Sequence, residues 1–386
     1  MNSQSKSFYN SIQLIEPPFG SPLTDLIIDL DYLRRKKVSG TTHPKIFFQL
    51  KNLFHTLESI GSARIEGNHT TIAEFIETKL SSEKNIGEDI SEIMNVERAM
   101  NFIDDTIDDN EINEAYIREL HKYVVTGLSA SKEGDITPGR YRSYNVKITK
   151  STHTPPENHR VCDYMEELTQ FISRKDPPKY DLLKIALTHH RFAWIHPFGN
   201  GNGRTVRLLT YAQLVKYGFN IHIGHIVNPT AIFCIDRNSY YDNLTAADDG
   251  SEKGLLNWSQ YVLSGLKGEV EKIDKLLDYS YLAEAILLPS ITDALEHKVI
   301  TAEEAAILKV AVAKQAFMAG DLEAIFPDKH APHISRALSR LKDKKMIIPE
   351  EENKRKYILA FENNYLIRSI ITMLDKNNFL PLKGEV

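Results

Sequence analysis

Residues 196–207 read HPFGNGNGRTVR and lie between two segments, 180–195 and 204–217, whose apolar residues have helical spacing. Glycines at positions 201 and 203 let backbone N–H groups approach an anion with no Cβ in the way. The helix that follows adds its partial positive charge, and the guanidinium groups of Arg204 and Arg207 can face one ligand because they are three residues apart. The stretch predicts a helix–loop–helix unit that binds phosphate.

Three other interpretations of the glycines are weaker. A merely flexible loop does not account for the two arginines that begin the next helix. The dinucleotide-binding fingerprint G-x-G-x-x-G fails because Arg204 stands at the third glycine position and because a helix, not a strand, precedes the loop. A Walker A loop fails because its Lys-Ser/Thr ending is missing.

His196 stands at the start of this loop. An imidazole with an ordinary pKa of about 6.5 beside bound phosphate can take a proton from an attacking hydroxyl. The alternative is a structural histidine, as the neighbouring His189 and His190 illustrate. Pro197 stiffens the backbone after His196, and Phe198 is expected to anchor the loop in the core. The residues alone favour phosphate chemistry with a histidine base.

The stretch resembles the signature of the Fic family, H-P-F-x-(D/E)-G-N-G-R-x-x-R. The matching residues are His196, Pro197, Phe198, Gly201, Asn202, Gly203, Arg204 and Arg207. PGRYR at 138–142, followed by a short extended run and HTPP at 153–156, resembles the target-docking flap of that family. RNSYYDNL at 237–244 resembles its adenine-holding stretch. The resemblance covers roughly residues 45–265 and implies the mostly helical fold called fido.

The resemblance implies transfer of AMP from ATP to a Ser, Thr or Tyr hydroxyl of a target protein, and of the enzyme itself. His196 would be the catalytic base, and Val146, Lys147 and Ile148 of the flap would dock the target. The implied ATP-binding residues are Gly201, Asn202, Gly203, Arg204, Thr205, Val206, Arg207, Tyr240 and Tyr241. This chemistry depends on positioning and charge neutralisation.

One position departs from the family pattern. The acidic residue that holds Mg²⁺ in the family is Asn200 here. An amide oxygen can ligate Mg²⁺, so Mg²⁺ stays an expected cofactor with Asn200 as its ligand. Weaker metal binding is expected to lower the rate or change the metal preference, and a different nucleotide donor stays open.

SARIEGN at 62–68 resembles the inhibitory motif of the family, (S/T)-x-x-x-E-(G/N). Glu66 lies in the last turn of a helix, where the dipole disfavours negative charge by about 0.3–1 kcal/mol, so a cationic partner is expected. The resemblance identifies that partner as Arg207, and Ser62 lies one turn earlier on the same face. The alternative is a surface glutamate near a helix end. Removal of AMP from a modified target also stays open.

Helical patterns dominate the chain, so the predicted fold class is mainly α, with a β-hairpin flap and a C-terminal winged helix-turn-helix. Helices are predicted at 23–36, 44–66, 89–107, 111–127, 160–174, 180–195, 204–217 and 255–280. Gly67-Asn68 should end the second helix, and Thr71 with Glu74 forms a capping box for the next. A strand at Tyr144–Thr149 is expected within the flap, 134–156. The predicted domains are an N-terminal helical region (1–105), the catalytic core (106–265), a helical connector (266–289) and a winged-helix-like domain (290–386).

The last domain raises a rival function. Its pattern predicts a helix from TAEEAAILKVAVAKQAFMAG, a short helix from DLEAIF, a helix from HISRALSRLKDKKM and two strands from IIPEEENKRKYILAF. Basic residues concentrate around the third helix: Lys329, His330, His333, Arg336, Arg340, Lys342, Lys344 and Lys345. They suit DNA phosphates, whereas many winged helices dock proteins or dimerise. The competing function is a DNA-binding regulator with a catalytically weak or nucleotide-sensing core.

Bulk properties limit the class of protein. The 386 residues are 42% hydrophobic and 26% charged, with a formal net charge of −5, which argues against non-specific coating of nucleic acid. Cys162 and Cys234 form no CxxC pair, which indicates a reducing compartment. No signal-like or membrane-spanning stretch is present. A cytoplasmic protein is expected, and a homodimer stays open.

Overall fold

A computed structural model describes residues 11–35, 41–81, 86–148, 152–219, 229–327, 331–351, 355–362 and 364–380. The predicted basic residues Lys329 and His330 and the flap residue Thr149 lie outside this part of the chain. None of the described helices is both long enough and apolar enough to cross a membrane.

The described chain is mainly helical, as predicted. The α-helices are α1 (Pro22–Arg35), α2 (Pro44–Glu66), α3 (Ile72–Leu80), α4 (Glu88–Thr106), α5 (Glu114–Val125), α6 (Val161–Ser173), α7 (Asp181–Ile195), α8 (Asn202–Leu214), α9 (Pro229–Cys234), α10 (Arg237–Ala247), α11 (Glu252–Leu277), α12 (Tyr279–Tyr281), α13 (Leu288–Glu296), α14 (Ala302–Lys314), α15 (Ala331–Asp343) and α16 (Leu366–Lys376). Single turns of 3₁₀-helix occur at Asn158–Arg160, Pro178–Tyr180 and Ala319–Leu322, and π-helical segments at Val215–Phe219 and Leu282–Leu287.

Local sequence signals account for several helix ends. Helix α2 has the predicted bounds, and Gly67 ends it with a left-handed φ of 114°, which glycine adopts readily. The Asn68 N–H donates to the Ala63 carbonyl at 3.1 Å, which satisfies one of the last helical carbonyls. The predicted capping box is confirmed, since Thr71 Oγ1 accepts from the Glu74 N–H and Glu74 Oε2 accepts from the Thr71 N–H.

The described residues divide into two compact units. The first comprises those within 1–37, 58–70 and 86–271, and the second those within 38–57, 71–85 and 272–386. Each unit therefore combines segments that are distant in the chain. The domain boundaries drawn from the sequence, which follow chain order, stay a prediction.

Two central helices form the core of the first unit. Helix α7 is buried on nearly all sides and packs against α6 and α8, while α8 also packs against α4 and α5. A helix that is apolar or paired around its whole circumference is typical of a protein interior. Trp258, fully buried, donates its indole N–H to the Ala186 carbonyl of α7 at 2.7 Å. The loop between α7 and α8 is therefore held by well-packed helices at both ends.

The predicted strand of the flap is wrong in its described part. Residues Tyr144–Ile148 have no regular secondary structure, and neither have 152–156, so no hairpin is present within the described flap. Side chains form hydrogen bonds with the backbone carbonyls that a partner strand would otherwise bind. Arg142 donates to the carbonyls of Tyr144 and Pro156, and Asn158 Nδ2 donates to the carbonyl of Ser143.

The second unit ends in the predicted order of elements with two additions, a short strand after α14 and helix α16 after the last strand. The helix expected over residues 301–320 stops at Lys314, because Gln315 has a left-handed φ of 58°, and a strand β1 (Ala316–Phe317) follows. Strands β2 (Ile347–Pro349) and β3 (Tyr357–Leu359) are antiparallel, with Ile348 opposite Ile358, and the sheet order is β1-β3-β2. The winged-helix assignment stays a prediction.

Candidate active site

The loop between α7 and α8 turns sharply at both ends. His196 ends α7 in the left-handed conformation (φ 50°, ψ 61°), and Gly201 precedes α8 with a φ of 73°. A non-glycine residue in this region costs roughly 1–2 kcal/mol and persists only where the surroundings enforce it. The loop is therefore held in shape by contacts outside itself.

Arg142 supplies many of those contacts. Its backbone N–H donates to the Pro197 carbonyl at 2.9 Å, and its Nε donates to the His196 carbonyl at 2.9 Å. Its Nη2 donates to the carbonyls of Pro156 at 2.6 Å and Ile195 at 3.3 Å. The side chain is buried, so one guanidinium group fixes the carbonyls on both sides of the histidine.

We expect Arg142→Ala to lower the free energy of unfolding by about 3 kcal/mol or more, because it leaves several buried carbonyls without a donor. Arg140, which is exposed in the same segment, is the matched control, and Arg140→Ala is expected to change stability by at most about 0.5 kcal/mol. Urea unfolding followed by circular dichroism measures both. Equal stability of the two variants would show that Arg142 does not maintain the loop.

His121, which the sequence did not single out, supports the other side of the loop. Its ring stacks on Phe198, with centroids 3.7 Å apart and planes 1° apart. Its Nδ1 accepts from the Gly139 N–H at 2.9 Å, so the proton lies on Nε2, which donates to the Asn200 carbonyl at 3.0 Å. Burial lowers the pKa of His121 to about 4. Nothing in the local pattern of α5 distinguishes this histidine, because all its partners lie elsewhere in the chain.

Asn202 closes the loop with its side chain. Its Oδ1 accepts from the Phe198 N–H and its Nδ2 donates to the Phe198 carbonyl, both at 2.9 Å. The residue is buried, so its amide side chain is committed to the loop itself. The predicted contact with a nucleotide can therefore come from its backbone N–H rather than from its side chain.

The backbone donors of the turn lie one residue later than expected. The Gly201 N–H donates to Asn200 Oδ1 at 2.7 Å, and the Thr205 N–H donates to the Gly201 carbonyl at 3.0 Å. A helix leaves its first N–H groups without intrahelical acceptors, and in α8 these are the groups of Asn202, Gly203 and Arg204. Thr205 and Val206 are buried, so their side chains support the turn from within.

A carboxylate already lies at this helix N-terminus. A Cβ built on Gly203 would collide with Oε1 of Glu66 and would lie 3.1 Å from Nη1 of Arg207. Only glycine therefore lets an acidic group reach the backbone here. The carboxylate thus lies beside the helix N-terminus and is paired with Arg207, while the predicted binding of phosphate at this turn stays a prediction.

Arg207 is buried and binds α2. Its Nη2 donates to Glu66 Oε1 at 2.7 Å and to the Ser62 carbonyl at 2.9 Å, and its Nε donates to Ser62 Oγ at 2.9 Å. The expected contact of Arg207 with Glu66 and Ser62 is therefore present. Burial alone would raise the pKa of Glu66, but the attraction of Arg207 and Arg204 holds it below its usual value. Among the described residues, Nη1 of Arg207 has no hydrogen-bond partner.

Arg204 has different partners from Arg207. It is fully buried, with Nη1 2.8 Å from Glu92 and Nη2 2.7 Å from Glu133. Burial raises the pKa of Glu92 to about 7, although Arg204 and a hydrogen bond from Asn68 oppose this. The two guanidinium groups, expected to face one ligand, are thus held by separate sets of carboxylates. Sequence reasoning missed Glu92 and Glu133, which lie in other segments with no motif around them.

His196 itself is half-buried at the start of the loop. Burial lowers its pKa to about 4, and the nearby Arg142 acts in the same direction. The imidazole is consequently neutral at pH 7 and can accept a proton.

We expect an NMR titration of His196 to show no change in protonation between pH 5.5 and 8, because a depressed pKa keeps the ring neutral until the pH falls toward about 4. An ordinary histidine would be about nine-tenths protonated at pH 5.5. The spectrum of His196→Ala assigns the signal. A midpoint above pH 6 for His196 would contradict this.

Among the described residues, those predicted to hold adenine and to dock the target do not form one cluster of contacts with the glycine turn. Tyr240 is buried, with its hydroxyl 2.9 Å from His189 Nε2 and its ring beside Phe233 and Trp258, so it serves the core. Tyr241 is 40% exposed, with the Arg237 guanidinium over its ring. Val146, Lys147 and Ile148 lie in the irregular part of the flap. Their predicted roles stay predictions.

Asn200 does not fit the expected metal site. Its Oδ1 accepts from the Gly201 N–H at 2.7 Å, and its Nδ2 donates to the carbonyls of Lys132 and Gly134 at 2.8 and 3.2 Å. Both ends of the amide are therefore committed to backbone groups. No cluster of three or more acidic, histidine or cysteine residues suited to a metal ion occurs among the described residues.

The site is thus a glycine turn between two helices, with the Glu66 carboxylate beside it and a neutral histidine at its start, in a mainly helical protein. Residues 111–214 match the Fic/DOC family, and the chain accordingly contains a domain of that family. The match includes His121, Arg142, His196 and Arg207, whereas Glu66, Tyr240 and Tyr241 lie outside it.

Named relatives and solved structures agree with this assignment. The chain is 30% identical over 203 residues to the protein adenylyltransferase Fic of Nematostella vectensis. The aligned region covers 51% of this chain and 44% of the relative. The chain is 28% identical over 202 residues to that of Aedes aegypti, covering 51% and 37%. The chain thus spans less than half the length of either relative.

Two crystal structures resemble the fold. A Fic family protein from Desulfovibrio desulfuricans is 20% identical, with a TM-score of 0.54, covering 90% of this chain and 98% of its own. A Fic domain containing signaling protein from Bacteroides thetaiotaomicron is 19% identical, with a TM-score of 0.51, covering 67% and 97%. At these identities the likeness establishes the fold.

Proposed function

We propose that this protein is an autoinhibited adenylyltransferase that transfers AMP from ATP to a Ser, Thr or Tyr hydroxyl of a protein. The observation that carries the proposal is the Glu66 carboxylate, which lies against Gly203 and is paired with Arg207, where a phosphate of ATP would bind. The buried Nη1 of Arg207, which has no hydrogen-bond partner among the described residues, offers a further donor to an incoming phosphate. Relatives that bear the name protein adenylyltransferase support the same activity.

The chemistry follows from the arrangement of the donors. The N–H groups of Asn202, Gly203 and Arg204 and the guanidinium of Arg207 hold the phosphates of ATP. His196 takes the proton of the target hydroxyl, whose oxygen forms a bond to the α-phosphorus. The bond between the α-phosphorus and the bridging oxygen breaks, and pyrophosphate leaves. Since the groups are fixed before ATP arrives, they neutralise developing charge without reorganisation.

Autoinhibition is the second part of the proposal. Glu66 takes the place of a phosphate on Arg207, and Ser62 fastens the same guanidinium through its hydroxyl and carbonyl. ATP must displace this carboxylate before all donors of the turn can bind its phosphates. AMP transfer by the resting chain is therefore slow, and release of Glu66 and Ser62 from Arg207 activates it.

Incubation with ATP labelled at the α-phosphate and, separately, at the γ-phosphate tests the reaction type. Label from the α-phosphate on protein supports AMP transfer, and self-modification is the expected first signal because the enzyme is the most concentrated hydroxyl donor present. Label from the γ-phosphate alone would identify a kinase and overturn the proposal. Parallel reactions with other labelled nucleotides test whether ATP is the preferred donor.

The rival function, DNA binding by the C-terminal unit, is less favoured by the contacts of α15. His333 and Arg340 bind Glu303, Lys344 binds Glu304, and Lys342 lies over the Tyr357 ring. These basic groups thus have partners within their own unit. Salt-dependent binding to duplex DNA together with absence of AMP transfer would favour the regulator instead.

A further inference from the structure

We propose that Asn200 is a positioning residue that fastens the glycine turn to residues 132–135, and that an acidic residue would disrupt the site at this position. We call residues 132–135 (KEGD) the strap. The inference concerns the position that the family uses for a metal ligand, and its activity readout rests on the proposed function.

Asn200 joins the turn to the strap through both its side chain and its backbone. Its Nδ2 donates to the carbonyls of Lys132 and Gly134, and its backbone N–H donates to Oδ2 of Asp135 at 3.0 Å. Its Oδ1 meanwhile accepts from the Gly201 N–H. The amide orientation is determined by these partners, because only the NH₂ end can face two carbonyls and only the oxygen can face an N–H.

The surroundings of the Nδ2 atom exclude a carboxylate. An aspartate at position 200 would place an oxygen against the carbonyl oxygens of Lys132 and Gly134, where Nδ2 now lies at 2.8 and 3.2 Å. It would also bring a second negative charge beside Asp135, whose side chain is 1% exposed. Two lost hydrogen bonds at a half-buried position, together with like-charge repulsion from the buried Asp135, oppose that substitution.

The strap in turn contacts residues of the candidate active site. Glu133 accepts from Arg204 Nη2 through its carbonyl at 2.9 Å and its carboxylate at 2.7 Å. Asp135 lies 3.6 Å from His121, which stacks on Phe198 of the loop. Asn200 therefore links the turn to residues that hold Arg204 and His121. A displacement of about 1 Å in such a frame can lower a rate roughly 100-fold.

Asn200→Asp, which restores the family pattern, tests the proposal in the Glu66→Gly background, with Asn110→Asp as the matched control. Asn110 is exposed and donates to a single carbonyl, that of Thr106. We expect Asn200→Asp to lower AMP transfer at least tenfold and to speed hydrogen exchange of the Gly201 N–H, with the half-saturating Mg²⁺ concentration within about twofold of the parent. Asn110→Asp should change none of these.

A rise in transfer with Asn200→Asp, or a tenfold change in the Mg²⁺ concentration needed, would identify position 200 as a cation ligand and overturn the proposal. If Asn200→Asp does not fold, Asn200→Ala replaces it, with the same expected directions and the same overturning outcomes. If the parent transfers no AMP, the proposed function fails but the exchange measurement still decides this inference. Unchanged exchange at Gly201 in a folded variant contradicts it.

Discussion

Glu66→Gly is expected to raise AMP transfer by about 10–150-fold at limiting ATP. Arg207 donates a charge-assisted hydrogen bond to Glu66 at 2.7 Å, and such a bond contributes about 1.5–3 kcal/mol. In the proposed mechanism ATP must displace this bond. Removing the carboxylate therefore makes ATP binding more favourable by the same free energy, and about 1.4 kcal/mol corresponds to a factor of ten. Quantitative labelling with α-labelled ATP, together with calorimetric titration of ATP, measures the effect.

Glu66→Gln separates the charge from the flexibility of a new glycine. It keeps the length of the side chain and the helix end at Gly67 but removes the ion pair, so it should activate in the same direction and to a smaller extent. Glu119→Gly, at an exposed ion pair on α5, is the control for a nonspecific effect of glycine in a helix. Equal transfer by the parent, Glu66→Gly and Glu66→Gln would remove autoinhibition from the proposed function.

His196→Ala is expected to lower transfer by about 100- to 10,000-fold, the range for loss of a positioned general base. The effect should fall on the chemical step, because the donors proposed to bind the phosphates are those of Asn202–Arg204 and Arg207 rather than the imidazole. ATP affinity should therefore stay within about threefold of the parent. Single-turnover labelling in the Glu66→Gly background separates the rate of chemistry from binding.

His159→Ala, at a histidine that is 67% exposed, is the control and should leave both quantities unchanged. Urea unfolding of both variants shows whether the loop is intact, since His196 has a left-handed backbone that other residues adopt less readily. A folded His196→Ala chain that keeps more than a tenth of the parental rate would exclude the histidine as the base.

The sequence predicted the local features of this protein well. The bounds of α2, its end at Gly67, the capping box at Thr71 and the two strands of the C-terminal unit follow from residues within a few positions of one another. The glycine turn between two helices also follows locally, because glycine frees the backbone and a helix start leaves N–H donors unpaired.

The family resemblance extended prediction to one long-range contact. It indicated that Glu66 and Ser62 would meet Arg207, although these residues are more than 140 positions apart, and the structure places them in hydrogen-bond contact. The helix dipole at Glu66 had indicated a cationic partner without identifying it. The residues alone could not name the pair, which came from the resemblance of SARIEGN to the inhibitory motif of the Fic family.

By itself, then, the sequence determined most of the long helices, several of their ends and the turn, because these depend on backbone preferences and on neighbours within one or two helical turns. It missed α16 and placed the end of α14 too late. The tertiary structure alone decided which hydrogen-bonding groups of the turn already have partners within the protein. It showed that the Gly201 N–H donates to Asn200 Oδ1 and that Asn200 is hydrogen-bonded to the strap. It also showed that Arg204 is buried between Glu92 and Glu133, and that Arg142 and His121 hold the loop. These partners come from separate segments, and a hydrogen bond between distant residues leaves no periodic trace in either one.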